Sequence, residues 1–190
     1  LRISGLPKLN LFRKYYWKFL SKKLYCVTTP TYSTKLLIEK KKIFGSKKIL
    51  VLEDPIFNIV DILKQRKNKI NEKFLDNQKY ILAIGRLTEQ KNFTLLINHF
   101  NKIKKTDDQI KLVILGLGEK EEYLKSLIKK FKLNERVYLL GHKKNVHKYL
   151  YNCVFFILTS KWEDPGFVLI EAAANRALIL SSDCPNGPTE

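Results

Sequence analysis

The sequence predicts an α/β fold built on a doubly wound parallel sheet. Three observations from residue 80 onward point to it. Short apolar runs of four to six residues are rich in Ile, Val, Leu and Phe and are bounded by Gly, Ser or Asp. Such runs suit strands buried on both faces. Between them lie apolar positions spaced three and four apart, which suit helices packing one face on a sheet. Small and charged residues collect where the apolar runs end, and in an open parallel sheet that edge is where ligands bind.

The elements follow in order. Leu11–Leu24 reads as a helix, Leu24–Thr28 as a strand, Thr31–Lys42 as a helix and Lys48–Leu52 as a second strand, closed by a turn at Asp54-Pro55. Residues 58–79 are Asn- and Lys-rich with a weak helical pattern. Five strands are expected at Tyr80–Ile84, Lys111–Leu115, Arg136–Leu140, Cys153–Leu158 and Ala177–Leu180. Phe93, Leu96, Ile97, Phe100 and Ile103 mark the helix after the first of these. Tyr123, Leu124, Leu127, Ile128 and Phe131 mark the next, and shorter helices follow near Val146–Tyr151 and Phe167–Asn175. Strict alternation of this kind implies βαβ units. The expected division is 1–55 as one domain's end, 56–79 as a bridge and 80–190 as a second domain.

Charge is distributed unevenly. The chain of 190 residues carries 36 Lys and Arg against 18 Asp and Glu, net +18. Residues 1–79 hold 19 basic and 6 acidic side chains, and residues 80–190 hold 17 and 12. An anionic partner near the first part fits this, and so does a general compositional preference for Lys, which supplies 30 of the cations. Cys26, Cys153 and Cys184 are odd in number and form no CxxC, which argues against a disulfide framework and for free, buried thiols in a reducing compartment. No run of about 18 apolar residues is present. The absence of Met and a start in mid-pattern suggest an internal piece of a longer protein.

Two clusters of polar residues stand out. Arg86 directly follows the strand-ending Gly85, and Lys91 comes just after. A guanidinium can clamp phosphate oxygens in two-pronged fashion and an ammonium adds a point charge, so the pair suits a diphosphate. Glu163 and Glu171 flank Pro165-Gly166, which opens the helix at Phe167. The amides of Phe167, Val168 and Leu169 have no helical acceptor and form an anion site at the positive end of the dipole. Carboxylates on either side can accept hydrogen bonds from hydroxyls, the layout of a nucleotide sugar. The two cations and two carboxylates are expected to converge in one cleft.

These residues resemble a known family. Gly85-Arg86-Leu87, Lys91-Asn92-Phe93, Gly116-Leu117-Gly118, Gly141, Ser160, Glu163-Asp164-Pro165-Gly166-Phe167-Val168-Leu169-Ile170-Glu171-Ala172 and Asp183 with Gly187-Pro188-Thr189-Glu190 run in the order seen in the nucleotide-binding half of the family 4 glycosyltransferases. The resemblance implies a two-domain glycosyltransferase B-type fold, Rossmann-like, here incomplete at both ends. It implies a retaining enzyme that moves a sugar from a nucleoside-diphosphate sugar to an acceptor hydroxyl, in cell-surface polysaccharide or glycolipid synthesis, with no metal and no other cofactor. Arg86 and Lys91 match the cations that stabilise the departing diphosphate, and Glu163 matches the carboxylate beside the donor sugar; these are the expected catalytic residues. Glu171 matches the ribose-binding carboxylate. Gly85, Gly116, Gly166, Phe167, Val168 and Leu169 complete the expected donor site.

Departures and rivals accompany the resemblance. Asp164-Pro165 stands where the family usually has Gly-Phe, which leaves the sugar open. Arg176 and Leu178 replace a Gly and a Pro, with Asn175 as the expected left-handed cap. Arg2-Ile3-Ser4-Gly5-Leu6-Pro7 and Val51-Leu52-Glu53-Asp54-Pro55 look like the end of the acceptor-side domain, which normally supplies a catalytic His, so the chain alone is expected to be inactive. His99, His142 and His147 have no metal-ligand spacing and read as structural or surface groups. Gly116 and Gly118 lack the third glycine of a dinucleotide fingerprint. Residues 11–25 combine aromatics with cations and suit either a helix packed on its own domain or a peripheral contact with an anionic membrane. Expected partners are a nucleotide sugar and an acceptor sugar or lipid-linked glycan, not nucleic acid; the expected location is the cytoplasm or the inner membrane face. A basic nucleic-acid-binding α/β module and a nucleotide-sugar epimerase are the alternatives.

Overall fold

The computed structural model describes residues 1, 3, 11–45, 48–53, 58–103, 109–163, 165–185 and 188. The sequence readings at Arg2 and residues 4–7, Asp54-Pro55, Asp164, Gly187 and Thr189-Glu190 lie outside them. The chain divides into two units. One comprises Leu1–Ile56, Trp162–Gly166 and Cys184–Glu190; the other comprises Phe57–Lys161 and Phe167–Asp183.

The first unit holds α1 (Leu11–Ser21), β1 (Cys26–Thr29), α2 (Tyr32–Lys40) and β2 (Lys48–Val51). β1 and β2 pair in parallel with Cys26 opposite Lys48, so α2 is the crossover of a βαβ unit. Thr31 starts α2, its hydroxyl accepting the Thr34 amide at 3.2 Å. On the far side of β1, the Ile3 amide donates to the Thr28 carbonyl at 2.9 Å. The core is Ile3, Val27, Ile38, Ile43, Phe44 and Ile49. Trp17 of α1 stacks on Phe44 with ring centroids 5.9 Å apart. α1 ends at Ser21, short of the expected Leu24, because the Ser21 hydroxyl turns back to the Lys18 carbonyl at 2.6 Å.

The second unit begins with α3 (Ile59–Gln65), capped by the Asn58 side chain, and a single 3₁₀ turn at Lys73–Leu75. Then come β3 (Tyr80–Ile84), α4 (Phe93–Ile103), β4 (Lys111–Leu115), α5 (Glu121–Lys130), β5 (Val137–Leu139), α6 (His147–Asn152), β6 (Phe155–Leu158), α7 (Phe167–Ala174) and β7 (Ile179–Ser181). The sheet order is β5-β4-β3-β6-β7, parallel at every pair. This is the α/β, doubly wound arrangement expected. Period-two alternation sends Ile81, Ala83, Leu112 and Ile114 to one face, where Phe93, Leu96, Ile97 and Phe100 of α4 and Leu124 and Ile128 of α5 cover them. Tyr80, Leu82, Val113, Leu115, Phe156 and Leu158 go to the other face, under Tyr149 and Leu150 of α6 and Ala172 of α7.

Two boundaries differ from expectation for local reasons. β6 starts at Phe155, not Cys153, because the Cys153 amide caps α6 on the Tyr149 carbonyl at 3.1 Å. α7 ends in a left-handed residue, but Arg176 adopts it, with φ 60°, not Asn175. The Arg176 amide donates to the Ala173 carbonyl at 2.9 Å and the Ala177 amide to Ala172 at 3.0 Å, the paired bonds of a Schellman end. Asn175 is instead buried. The cysteines are free; Cys184 is buried, whereas Cys26 and Cys153 are only half-buried. Burial pushes the Cys153 thiol up to about 12, so it stays protonated and unreactive.

Candidate functional site

The sheet order reverses between β3 and β6, the neighbours farthest apart in sequence among paired strands of this sheet. Ligands of doubly wound sheets bind beyond the strand ends at such a switch point. Here the loops leaving the strands are stitched together by their own main chains. Gly85 donates to the Leu115 carbonyl at 2.9 Å, Leu87 to Leu117 at 2.9 Å and Gly116 to Gly141 at 2.8 Å. A Cβ on Gly116 would lie 1.9 Å from the Gly85 carbonyl oxygen, and one on Gly118 would lie 2.5 Å from that of Leu87. Backbone-to-backbone packing, not a dinucleotide turn, is what these glycines serve.

Gly85 also leaves room for Lys91, whose side chain lies across it: a Cβ there would come within 2.9 Å of the lysine Cε. The lysine backbone is held from β6, since the Thr159 hydroxyl donates to the Lys91 carbonyl at 2.9 Å. Lys161, just past β6, donates its amide to the Gln90 carbonyl at 2.8 Å. Glu89 pairs with both Lys120 and Lys161, joining the loops after β3, β4 and β6. Those ammonium groups, Lys120 first, hold its carboxyl down to about 2. Arg86 is exposed, and among the described residues its guanidinium has no hydrogen-bond or ion-pair partner.

Arg86 stands at a cavity of about 450 Å³ whose wall includes Gly85, Gly116, Leu117, His142, Lys143 and Val146. Lys143 is fixed there by Glu72, at 2.6 Å, and Glu72 also accepts the Tyr149 hydroxyl at 2.7 Å. Burial raises the Glu72 carboxyl, and the hydrogen bonds from Lys143 and Tyr149 outweigh it, leaving the group below the ordinary carboxylate range. Sequence reasoning missed Glu72, Lys143 and Glu89. Their partners lie 31 to 77 positions away, so no local pattern marks them.

Glu171 lies one turn inside α7, half-buried, and burial lifts its carboxyl above the ordinary value. Among the described residues that carboxylate has neither an ion pair nor a hydrogen bond. Asn175, a turn further on, donates to the Glu171 carbonyl at 2.8 Å and meets His147 Nδ1 at 2.9 Å. Burial pushes the His147 imidazole down, which keeps it neutral as the acceptor in that contact. Of the other histidines, His99 contacts its own helix at Leu95 and His142 is exposed at the cavity. The exposed Phe167 and the half-buried Val168 and Leu169 form the first turn of α7.

Glu163 and Gly166 belong to the first unit. Glu163 is 3% exposed, and its amide donates to the Pro185 carbonyl at 3.0 Å. Gly166 is buried with φ 83°. The structure thus brings Gly85, Arg86, Lys91 and Gly116 together at the ends of β3 and β4, and sets Glu171 on α7 of the same unit, with no ion pair or hydrogen bond to either cation among the described residues.

A parallel sheet of this order, with helices on both faces, defines a doubly wound α/β domain. Comparison with known proteins narrows this: the family described as "Glycosyl transferases group 1" matches residues 64–190, and the chain belongs to it. It is 35% identical over 184 residues to an uncharacterized glycosyltransferase of Methanocaldococcus jannaschii, covering 93% of this chain and 43% of that protein. It is 38% identical over 135 residues to the N-acetylgalactosamine-N,N'-diacetylbacillosaminyl-diphospho-undecaprenol 4-alpha-N-acetylgalactosaminyltransferase of Campylobacter jejuni, covering 71% and 36%. The chain therefore spans less than half the length of these relatives. Among solved structures, a mutant of S. aureus TarM in complex with fondaparinux, alpha-GlcNAc-glycerol and UDP superposes with a TM-score of 0.76 at 21% identity, over 99% of this chain and 37% of that one.

Proposed function

We propose that the chain contributes the donor-binding part of a retaining glycosyltransferase of family 4 that moves a sugar from a nucleoside-diphosphate sugar to an acceptor hydroxyl. Membership of the glycosyl transferase group supports the reaction class. The observation that carries the site is Lys91 laid across Gly85 beside the exposed Arg86, at the reversal of the sheet. In this reading the bond from the sugar's anomeric carbon to the diphosphate breaks, and a bond from that carbon to the acceptor oxygen forms on the same face. The acceptor proton passes to the departing phosphate oxygen. Arg86 and Lys91 neutralise the charge that develops on the diphosphate, and the Phe167–Leu169 amides hold its oxygens. Glu163 takes the sugar hydroxyls and Glu171 those of the ribose. Gly85, Gly116 and Gly166 let the backbone approach the ligand. No metal is required, because two side-chain cations already supply the counter-charge.

The acceptor proposed is a sugar or a lipid-linked glycan, as the name of the Campylobacter relative suggests. Uridine is the first nucleotide to test, given the UDP in the TarM complex. The first unit is read as the end of the acceptor-side domain. Thermal unfolding of the full-length protein with UDP, GDP and ADP tests the reading. Ligand at about 100 times its dissociation constant stabilises by ~2.7 kcal/mol. One of the three is expected to raise the midpoint, and Arg86→Ala, Lys91→Ala and Glu171→Ala to reduce that rise. No rise with any diphosphate, or a rise indifferent to both cation variants, overturns it.

A further inference from the structure

The loop that walls one side of the cavity at Arg86 is held by a stretch of chain that precedes β3. Asn145 donates to the Gln65 carbonyl at 2.9 Å, Lys148 to the Lys69 carbonyl at 3.0 Å, and the Tyr149 hydroxyl to Glu72 at 2.7 Å. Those three bonds lace residues 65–72 to α6 and its approach. The pair of Lys143 with Glu72 has a different reach, because Lys143 stands on the cavity wall together with Arg86.

Each carboxylate oxygen of Glu72 has a partner. Oε1 takes the Lys143 ammonium and Oε2 the Tyr149 hydroxyl. Tyr149 is buried, and its carbonyl accepts the Tyr80 hydroxyl at 2.8 Å, from the first residue of β3. A continuous line of contacts therefore runs from the sheet through Tyr149 and Glu72 to the ammonium. The Glu72 side chain is only 14% exposed. A carboxylate taken that far out of water is unfavourable unless a cation stays paired with it, so the pair fixes both charges. One of the three ammonium hydrogens goes to Glu72, and the other two have no acceptor among the described residues. An ammonium only donates, so it suits the oxygens of an anionic ligand. Fixing it beforehand removes the ordering cost that a free lysine meets on binding.

We propose that Lys143 binds the nucleoside diphosphate alongside Arg86, and that Glu72 is the positioning residue that holds the ammonium there. This rests on the donor-binding reading and extends it to two further residues of the same unit, one of them outside the cavity wall.

The test is calorimetry of the full-length protein with UDP, GDP and ADP, followed by variants against whichever binds tightest. Lys143→Ala should weaken binding about tenfold and Glu72→Gln about threefold. Glutamine keeps an acceptor for Tyr149 and loses the charge. Glu72→Asp, which keeps the charge and draws it back, should weaken binding as well and serves if the first variant does not fold. In the Lys143→Ala background either change at residue 72 should leave the constant within about 1.5-fold, because its effect is carried by the missing ammonium. Lys148→Ala, which cuts another tie to the same stretch, should leave binding within about twofold. Unchanged binding in Lys143→Ala overturns the proposal. So does a loss from Glu72→Gln that persists without Lys143, or an equal loss from Lys148→Ala, since either would make Glu72 a general brace. If Arg86→Ala and Lys91→Ala weaken binding while the Glu72 and Lys143 variants do not, this proposal falls and the donor-binding reading stands. If none of the three diphosphates binds the unaltered protein, both fall.

Discussion

α1 and α4 are both eleven-residue helices, with seven and six large apolar side chains respectively, yet they dispose of them in opposite ways. α4 buries Phe93, Leu96, Ile97 and Phe100 against a sheet face already lined with Ile81, Ala83, Leu112 and Ile114. α1 spends one aromatic, Trp17, on its own unit and leaves five large apolar residues in solvent. Periodicity therefore tells that a helix has an apolar face and not which surface receives it. In α4 the stripe excludes cations. In α1 cations stand among the apolar residues, so the charge pattern separates the helix whose stripe is covered by its own unit from the one whose stripe is left exposed.

The largest effects should fall on the second unit's core. Phe100→Ala should cost about 3–5 kcal/mol, lowering the thermal midpoint by about 10 °C, while Phe19→Ala should stay within ~0.5 kcal/mol. Equal shifts from the two would erase the contrast. The same contrast applies to glycines. Gly116→Ala should cost about 3 kcal/mol by urea unfolding, since its Cβ would meet the Gly85 carbonyl oxygen at 1.9 Å. Gly45→Ala in the first unit meets nothing within 4 Å and carries only the strain of φ 58°, about 1 kcal/mol.

Smaller effects sharpen the comparison at the surface. Arg86→Ala should leave stability within ~0.5 kcal/mol but weaken binding of the favoured nucleoside diphosphate about tenfold, read by calorimetry. An exposed cation in the second unit would then matter for a small ligand and not for the fold. The smallest effect concerns His147. Burial depresses its folded value below the ordinary 6.5, so the unfolded chain takes up the proton first. Stability present above about pH 6.5 is lost as pH falls toward the folded value. His147→Gln should flatten urea-derived stability between pH 7 and pH 5, and an unchanged slope would show that the imidazole is already solvated.

The second unit was readable because its strands are buried on both faces. Tyr80–Ile84 and the Leu112–Leu115 stretch after Lys111 appear in the sequence as apolar runs, and the expected bounds Tyr80–Ile84 and Lys111–Leu115 match the structure residue for residue. Polarity gives way there only where a strand truly ends. The sequence groups Arg86 and Lys91 with Glu163 and Glu171; strand ends account for the placing of Arg86 and Lys91 beside Gly85 and Gly116, whereas Glu163 belongs to the first unit and Glu171 forms no ion pair with either cation among the described residues. Legibility stopped at contacts made through space. Glu72 reaches Lys143 across 71 positions, and Glu89 reaches Lys161 across 72. The left-handed cap falls on Arg176 and not on Asn175, although left-handed backbone is ordinarily expected of Asn before Arg. Here Asn175 is needed elsewhere, donating to the Glu171 carbonyl and contacting His147, so the next residue takes the strained conformation.

The contact between Gly116 and the Gly85 carbonyl carries a consequence for how this cavity can diversify. With two main chains touching, that part of the wall has no side chain to exchange, and any drift in sequence must leave it bare. Novelty has to enter from the opposite rim, where His142 and Lys143 stand on a loop braced by Glu72. A change at residue 72, remote in sequence and absent from the cavity wall, would therefore retune what the pocket accepts while the glycine floor stayed as it is.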